Sequence, residues 1–156
     1  MTEVQRIADL LQRAYEGPSW HGPSVKEALE GVTPEIASRR MGSAHTIWEL
    51  VHHIGAWADI PRRRILGEMF PITDDINFPP MPKPGTEAWQ RSLDSLAENQ
   101  RKILELMREL SDSRLNEPVM KDGPTIYVLL HGVVHHHIYH AGQIVLLKKA
   151  QPGQVN

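Results

Sequence analysis

Nine of the 156 residues are histidine, and their placement is uneven. His131, His135, His136, His137 and His140 fall within ten residues, and His52 and His53 are adjacent. Imidazole is the side chain best suited to carry a proton near neutral pH or to donate a lone pair to a metal ion. On a helix, residues four apart differ by about 40° in direction and about 6 Å along the axis, so two histidines at that spacing can aim at one ion. By spacing, His131 with His135, His136 with His140, and the three-apart pair His137 with His140 all qualify. The face decides between them: Leu129, Val133, His140, Gln143, Ile144 and Leu147 lie on or near the direction of His136, which is where an amphipathic helix meets its core. His136 and His140 therefore point inward, His135 and His137 fall about 100° to either side at the boundary, and His131 points further away.

The same test on the earlier segment places Leu50, Trp57 and Ile60 on the face of His53, with His52 turned about 100° from it. One inward histidine and an inward pair make three neutral imidazole donors, enough for zinc or a related divalent ion with a position left for water or substrate. Such an open site is catalytic in type. A single histidine on an apolar face is ordinarily a hydrogen-bonded core residue, but two rings one turn apart on a core face are costly to bury unless something satisfies their nitrogens. Gln143, also inward, can orient a ligand ring or contact substrate. Glu49, one turn before His53, is a similar candidate, although a role at the helix start competes for it.

The elements that must position these residues are helical. Val4, Ile7, Leu10, Leu11 and Ala14 have helical spacing over residues 3 to 16, and Gly17-Pro18 stops the run. Pro18, Pro23 and Pro34 then leave room only for short turns, one of them near Val25 to Leu29. Thr46 with Glu49 forms a capping-box pattern for a second helix from about 47 to 66, and Pro61 predicts a bend or restart near Ala58. Five prolines between Pro71 and Pro84 predict an extended connection. Thr86 is expected to cap a third helix from about 87 to 110, with Trp89, Leu93, Leu96, Ile103 and Met107 inward. A fourth runs from Thr125 to about Lys149, after a polar, turn-rich stretch from Ser111 to Pro124. The expected fold is all-α, a single four-helix bundle domain over residues 1–156, either up-down-up-down or with crossovers.

Composition narrows the function. Lys and Arg number 17 against 19 Asp and Glu, so the broad cationic surface used for nucleic acid or membrane surfaces is missing, and neither is expected as a partner. The absence of cysteine removes disulfides, thiolate ligands and a cysteine nucleophile. The amphipathic start does not read as a secretory signal and no long apolar run occurs, which points to the cytoplasm. HExxH is absent. Glu49-Leu50-Val51-His52 fits the Glu-x-x-His element of carboxylate-bridged bundles, but those need a second copy and the fourth helix offers no inward carboxylate. Arg62-Arg63-Arg64 reads as a solvated face, and Trp20 or Trp89, if exposed, could supply a surface for a partner.

WELVHHIGAW on the second helix, HHHIYHAGQI on the fourth and about 80 residues between them together resemble the DinB/YfiT-like superfamily of metal-binding four-helix bundles. The resemblance covers nearly the whole chain. Its matching histidines are His53, His136 and His140; His52 adjoins the first of these positions, and His53 is taken because Ile54 follows it. What the resemblance implies is a metal-dependent thiol S-transferase or isomerase, with zinc or nickel as the ion, a low-molecular-weight thiol joined to an electrophilic substrate, and a homodimer. A hydrolase built on the same ligands and a non-catalytic metal-binding stress-response module are the alternatives. No role follows for His52, His131, His135, His137, Trp20 or His21.

Overall fold

In the computed structural model, which describes residues 1–153, the α-helices other than the one over Thr86–Glu109 begin where side-chain caps satisfy their first amides. Helix α1 (Glu3–Glu16) starts at Thr2 and short α2 (Val25–Leu29) at Ser24, each with a reciprocal capping box to Gln5 and Glu27. Short α3 (Pro34–Ser38) takes Pro34 as its first residue after Thr33, where proline's missing amide hydrogen does no harm. Helix α4 (Ile47–Ile65) starts with the expected Thr46–Glu49 box, and α7 (Ile126–Lys149) with the Thr125 hydroxyl accepting from the Val128 amide. Gly17 ends α1 at φ +84°, and a Cβ there would meet the Glu27 carboxylate at 3.0 Å, so both backbone and space favour glycine.

Three expectations change. Helix α6 (Thr86–Glu109) includes Thr86 as its first residue, capped by no side chain, with Gly85 preceding it. Helix α4 runs through Pro61 without a restart at Ala58: Ala58, Ile60, Pro61 and Ile65 are all buried, and packing on both sides of the missing hydrogen bond holds the turn. The proline-rich connection is not wholly extended, because Thr73 caps a one-turn helix α5 (Asp74–Asn77) that packs on α4. After α6, a 3₁₀ turn at Asp112–Arg114 brings the Asp112 carboxylate to the Glu3 and Val4 amides at 2.8 and 3.0 Å, tying the start of α1 to this turn.

The four long helices form the expected bundle. Helix α4 lies between α6 and α7, and α1 closes the other side against the same two helices. Its apolar interior divides into two clusters. Val4, Ile7, Leu11, Ile103, Met107 and Leu130 form one, and Tyr15, Trp48, Ile54, Trp89, Leu96 and Ile144 the other. Trp89 is buried, with its indole N–H on the Val32 carbonyl at 3.0 Å, so it offers no partner surface; Trp20 is fully exposed. Arg62 pairs with Asp59 and Arg63 with Glu68, and the run is only partly exposed, with Arg64 Nε buried and unpartnered, so it is not the solvated face that was expected. Among the described residues no strand occurs beyond one isolated bridge, Pro118 with Thr125, and no helix is long and apolar enough to cross a membrane.

Helices α4 and α6 approach closely at Gly55, where an added Cβ would touch Leu96 and Asn99 at 3.7 Å, ordinary van der Waals contact. Gly55→Ala is therefore expected to stabilise the fold by about 0.5–1 kcal/mol, through helix propensity. Gly55→Leu should cost about 1–3 kcal/mol by overpacking. Urea unfolding of both variants checks the opposite signs.

Candidate metal centre

Helix α4 carries His53 and helix α7 carries His136 and His140, and the packing of these two helices brings the three rings together. The Nε2 atom of His136 lies 3.0 Å from that of His53 and 3.1 Å from that of His140. One ligand atom from each residue falls within 4.8 Å of the others, a group that could hold a metal ion. His53 and His140 are buried and His136 is partly so.

The far side of each ring determines what the near side can do. His53 Nδ1 lies 2.6 Å from the Asn77 carbonyl and His140 Nδ1 lies 2.6 Å from Gln143 Oε1. Carbonyl oxygens only accept, so both rings donate from Nδ1 and, when neutral, present a bare Nε2 lone pair to the centre. His136 Nδ1 is buried without a partner, and a proton on its Nε2 can serve only one of two facing lone pairs. Burial pushes the His136 pKa down to about 3, aided by His140 and His53, and that of His140 to about 4; it lowers His53 as well. Neutral rings with converging lone pairs and one orphaned nitrogen fit a divalent cation, and the donor set of three imidazoles suits zinc or a neighbouring transition metal.

The surroundings come from the connection after α4. Phe78, just beyond α5, stacks on His53 at 4.2 Å and 8° between planes, and on His45 at 3.9 Å and 11°. Trp57, one turn after His53, gives its indole N–H to Asn77 Oδ1 at 2.9 Å, and its ring lies 5.8 Å from that of His136. One mostly apolar cleft of about 210 Å³ is lined by Trp57, Leu129, Val133 and His136, and a second, also mostly apolar, of about 320 Å³ reaches Gln143, the partner of His140, with His45, Leu50 and Leu147.

A family profile described as the DinB superfamily matches residues 19–144, well over half of the chain and spanning all three histidines. The chain belongs to the DinB superfamily. No curated protein and no solved structure matches it. In this DinB superfamily member, membership and the three-histidine cluster together fit a metal-binding enzyme.

Of the two supporting residues expected from sequence, Gln143 orients His140 as described. Glu49 is engaged at the helix start: its carboxylate accepts from the Thr46 amide at 2.7 Å, pairs with Arg40 and faces His45 Nδ1 at 3.3 Å. His131 and His135, one turn apart, have tilted rings with centroids 6.1 Å apart, and His131 lies against Tyr127. Asn77, Phe78 and His45 carry no periodic signal. Thr73 followed by Asp74 and Asp75 is the one local pattern that marks the turn holding Asn77.

His137 departs from its expected boundary position and is fully buried. Helix α7 packs on α1, α2 and α4, so its buried arc is wider than one amphipathic stripe. While His136 and His140 face α4, His137 meets Tyr15 of α1 edge-on at 6.3 Å and Gln100 of α6 at 3.0 Å. Its Nδ1 lies 2.9 Å from the Val133 carbonyl and its Nε2 3.0 Å from Gln100 Oε1, so the one N–H of the neutral ring faces two acceptors, while Gln100 Nε2 is buried without a partner. Burial pushes its pKa down to about 4, offset in part by the Val133 bond.

A histidine whose folded pKa lies below its unfolded value of about 6.5 lets the unfolded chain bind the extra proton. Stability is therefore full above that value and falls as pH drops towards about 4. Urea midpoints of chelator-treated protein should be flat from pH 7 to 8 and decline steadily from 6.5 to 4. His137→Leu should reduce that decline, while lowering the midpoint at pH 7 by leaving Gln100 unpaired.

Proposed function

We propose that His53, His136 and His140 hold a divalent ion, zinc or nickel, and that the chain is a thiol S-transferase joining a low-molecular-weight thiol to an electrophilic substrate. The observation that carries the reading is the convergence of three Nε2 atoms, with the outer nitrogens of His53 and His140 committed to Asn77 and Gln143. A bound ion would supply positive charge that favours the thiolate over the thiol. The chain has no cysteine, which agrees with a nucleophile brought by the cosubstrate.

The protein's own groups have distinct tasks in this reading. Gln143 and the Asn77 carbonyl fix the tautomers of His140 and His53, so each ring keeps its lone pair towards the centre. Trp57, Leu129 and Val133 exclude water beside His136 and give an apolar electrophile a wall to lie on. His45 and Gln143, lining the second cleft, offer polar contacts for the remainder of the thiol. A cleft against His136 and a second one at Gln143, which holds His140, give room for two substrates and favour a two-substrate reaction over simple hydrolysis.

Untagged protein should bind one zinc or nickel per chain by elemental analysis, and the His136→Ala/His140→Ala double variant should bind none while keeping its helical circular dichroism. Metal-loaded protein should consume glutathione or another small thiol together with chlorodinitrobenzene or an epoxide. Thiol-independent release of acid from an ester by the same metal-loaded protein, lost in the double variant, would move the assignment to hydrolysis.

Gln143→Leu should weaken metal affinity by about 10- to 100-fold, because the His140 ring loses the acceptor that orients it. Competition with a chromogenic chelator measures the loss. An unchanged affinity would show that Gln143 has no part in holding the ligand.

A further inference from the structure

Gly132 sits inside α7, one turn before His136, and is exposed. Glycine is a poor helix residue, because its backbone loses the most freedom on folding and it brings no side chain to pack. A close approach by a neighbour or a positive φ would account for it, but Gly132 shows neither: a Cβ added there would meet nothing within 4 Å, and its φ is not in the left-handed region. What it does adjoin is the cleft of about 210 Å³ against His136. Trp57 of α4 lines that cleft together with Leu129 and Val133 of α7, and its ring lies 5.8 Å from that of His136. Leu129, Gly132, Val133 and His136 follow one another at i, i+3, i+4 and i+7, so a side chain at position 132 would stand on the same face of α7 as the His136 ring. Gly142, later on the same helix, is equally open but is not part of this cleft.

The lining also limits what can enter. None of it is Asp, Glu, Lys or Arg, and α7 carries no such residue from Ile126 to Leu147. An ionised group placed in the cleft would give up its hydration with no partner to replace it. Size sets a second limit: a cavity of about 150 Å³ already accommodates benzene, so about 210 Å³ holds one aromatic ring with a small substituent and excludes a fused ring system. Trp57 offers that ring an aromatic face. We propose that Gly132 is the residue that sets the size of the electrophile's cleft, and that the group bound there is uncharged and about as large as one substituted aromatic ring. That this group carries the electrophilic carbon rests on the transferase reading; the preference for an uncharged ring needs neither metal nor thiol. Alanine at 132 would add a carbon to the cleft without meeting a protein atom, and leucine would fill more of the space in which the ring lies.

The test is equilibrium dialysis of 1,3-dinitrobenzene, an uncharged single ring, against the chelator-treated whole chain in the absence of thiol. The wild-type protein should bind it about 10-fold or more tightly than 3,5-dinitrobenzoate, which adds a carboxylate to the same ring. Gly132→Leu should weaken dinitrobenzene binding by about 10-fold or more, and Gly142→Leu should leave it unchanged. Gly132→Ala covers the case in which the leucine variant fails to fold: it should raise the urea midpoint, because alanine is the better helix former, and yet weaken dinitrobenzene binding several-fold. A glycine with a merely structural role would not move those two readouts in opposite directions. Wild-type protein that binds both probes equally or neither, or a folded Gly132→Leu variant that binds dinitrobenzene as the wild type does, would overturn the proposal. A wild-type dimer that Gly132→Leu dissociates in sedimentation would assign the cleft to a second copy and overturn it too. Dinitrobenzene binding as expected, with no thiol consumed by the metal-loaded protein, would sink the transferase reading and leave the cleft assignment standing; thiol consumption by a protein that does not bind dinitrobenzene would do the reverse.

Discussion

Three imidazoles that meet Nε2 to Nε2 cannot satisfy one another. Each neutral ring has a single N–H, and those of His53 and His140 are directed outward to Asn77 and Gln143. Only one proton, that of His136, is left for the space where three nitrogens gather, and placing it there strands His136 Nδ1 in the interior. Protonating a second ring would bury a charge among like charges, which the low pKa values of His136 and His140 express. This constraint dictates much else. Helices α4 and α7 must be neighbours in a fixed register, and α6 and α1 complete the bundle that holds them there.

The parts of this arrangement that were legible in sequence are those encoded within one helix. Thr46 with Glu49 marks the start of α4, and Thr125 that of α7, because a hydroxyl that satisfies a nearby amide needs nothing from the rest of the chain. The inward direction of His53, His136 and His140 follows from the 3.6-residue period, since a ring's direction relative to its own helix is set before the helix packs. Gln143 is legible for the same reason, three residues from the ring it orients.

What escaped the reading depends on contacts between distant segments. Asn77 is 24 residues from His53, and the 83-residue separation of His53 and His136 is closed only by the bundle. His137 looked like a boundary residue because the period says where a side chain points but not how many neighbours its helix has; with α1 and α6 present, that boundary becomes interior. Trp89 was open to either reading until the Val32 carbonyl, 57 residues away, accepted its N–H. The contact of His52 Nε2 with the Ser92 hydroxyl, across 40 residues, belongs to the same class. Thr86 fails differently: a good capping residue one position inside the helix has no cap to make, and Gly85 takes the place.

The two clustered histidines on α7 inherit their positions from a long helix packed on several neighbours, whereas His53 has its outer nitrogen on the Asn77 backbone and its face against Phe78. Both belong to a stretch whose regular structure is a single turn, α5. Lengthening that connection by a residue or exchanging one of its prolines would leave every helix of the bundle intact and yet rotate one imidazole out of plane with the centre. Natural variation in that segment would thus reshape the three-histidine cluster from outside it, with the scaffold left unchanged.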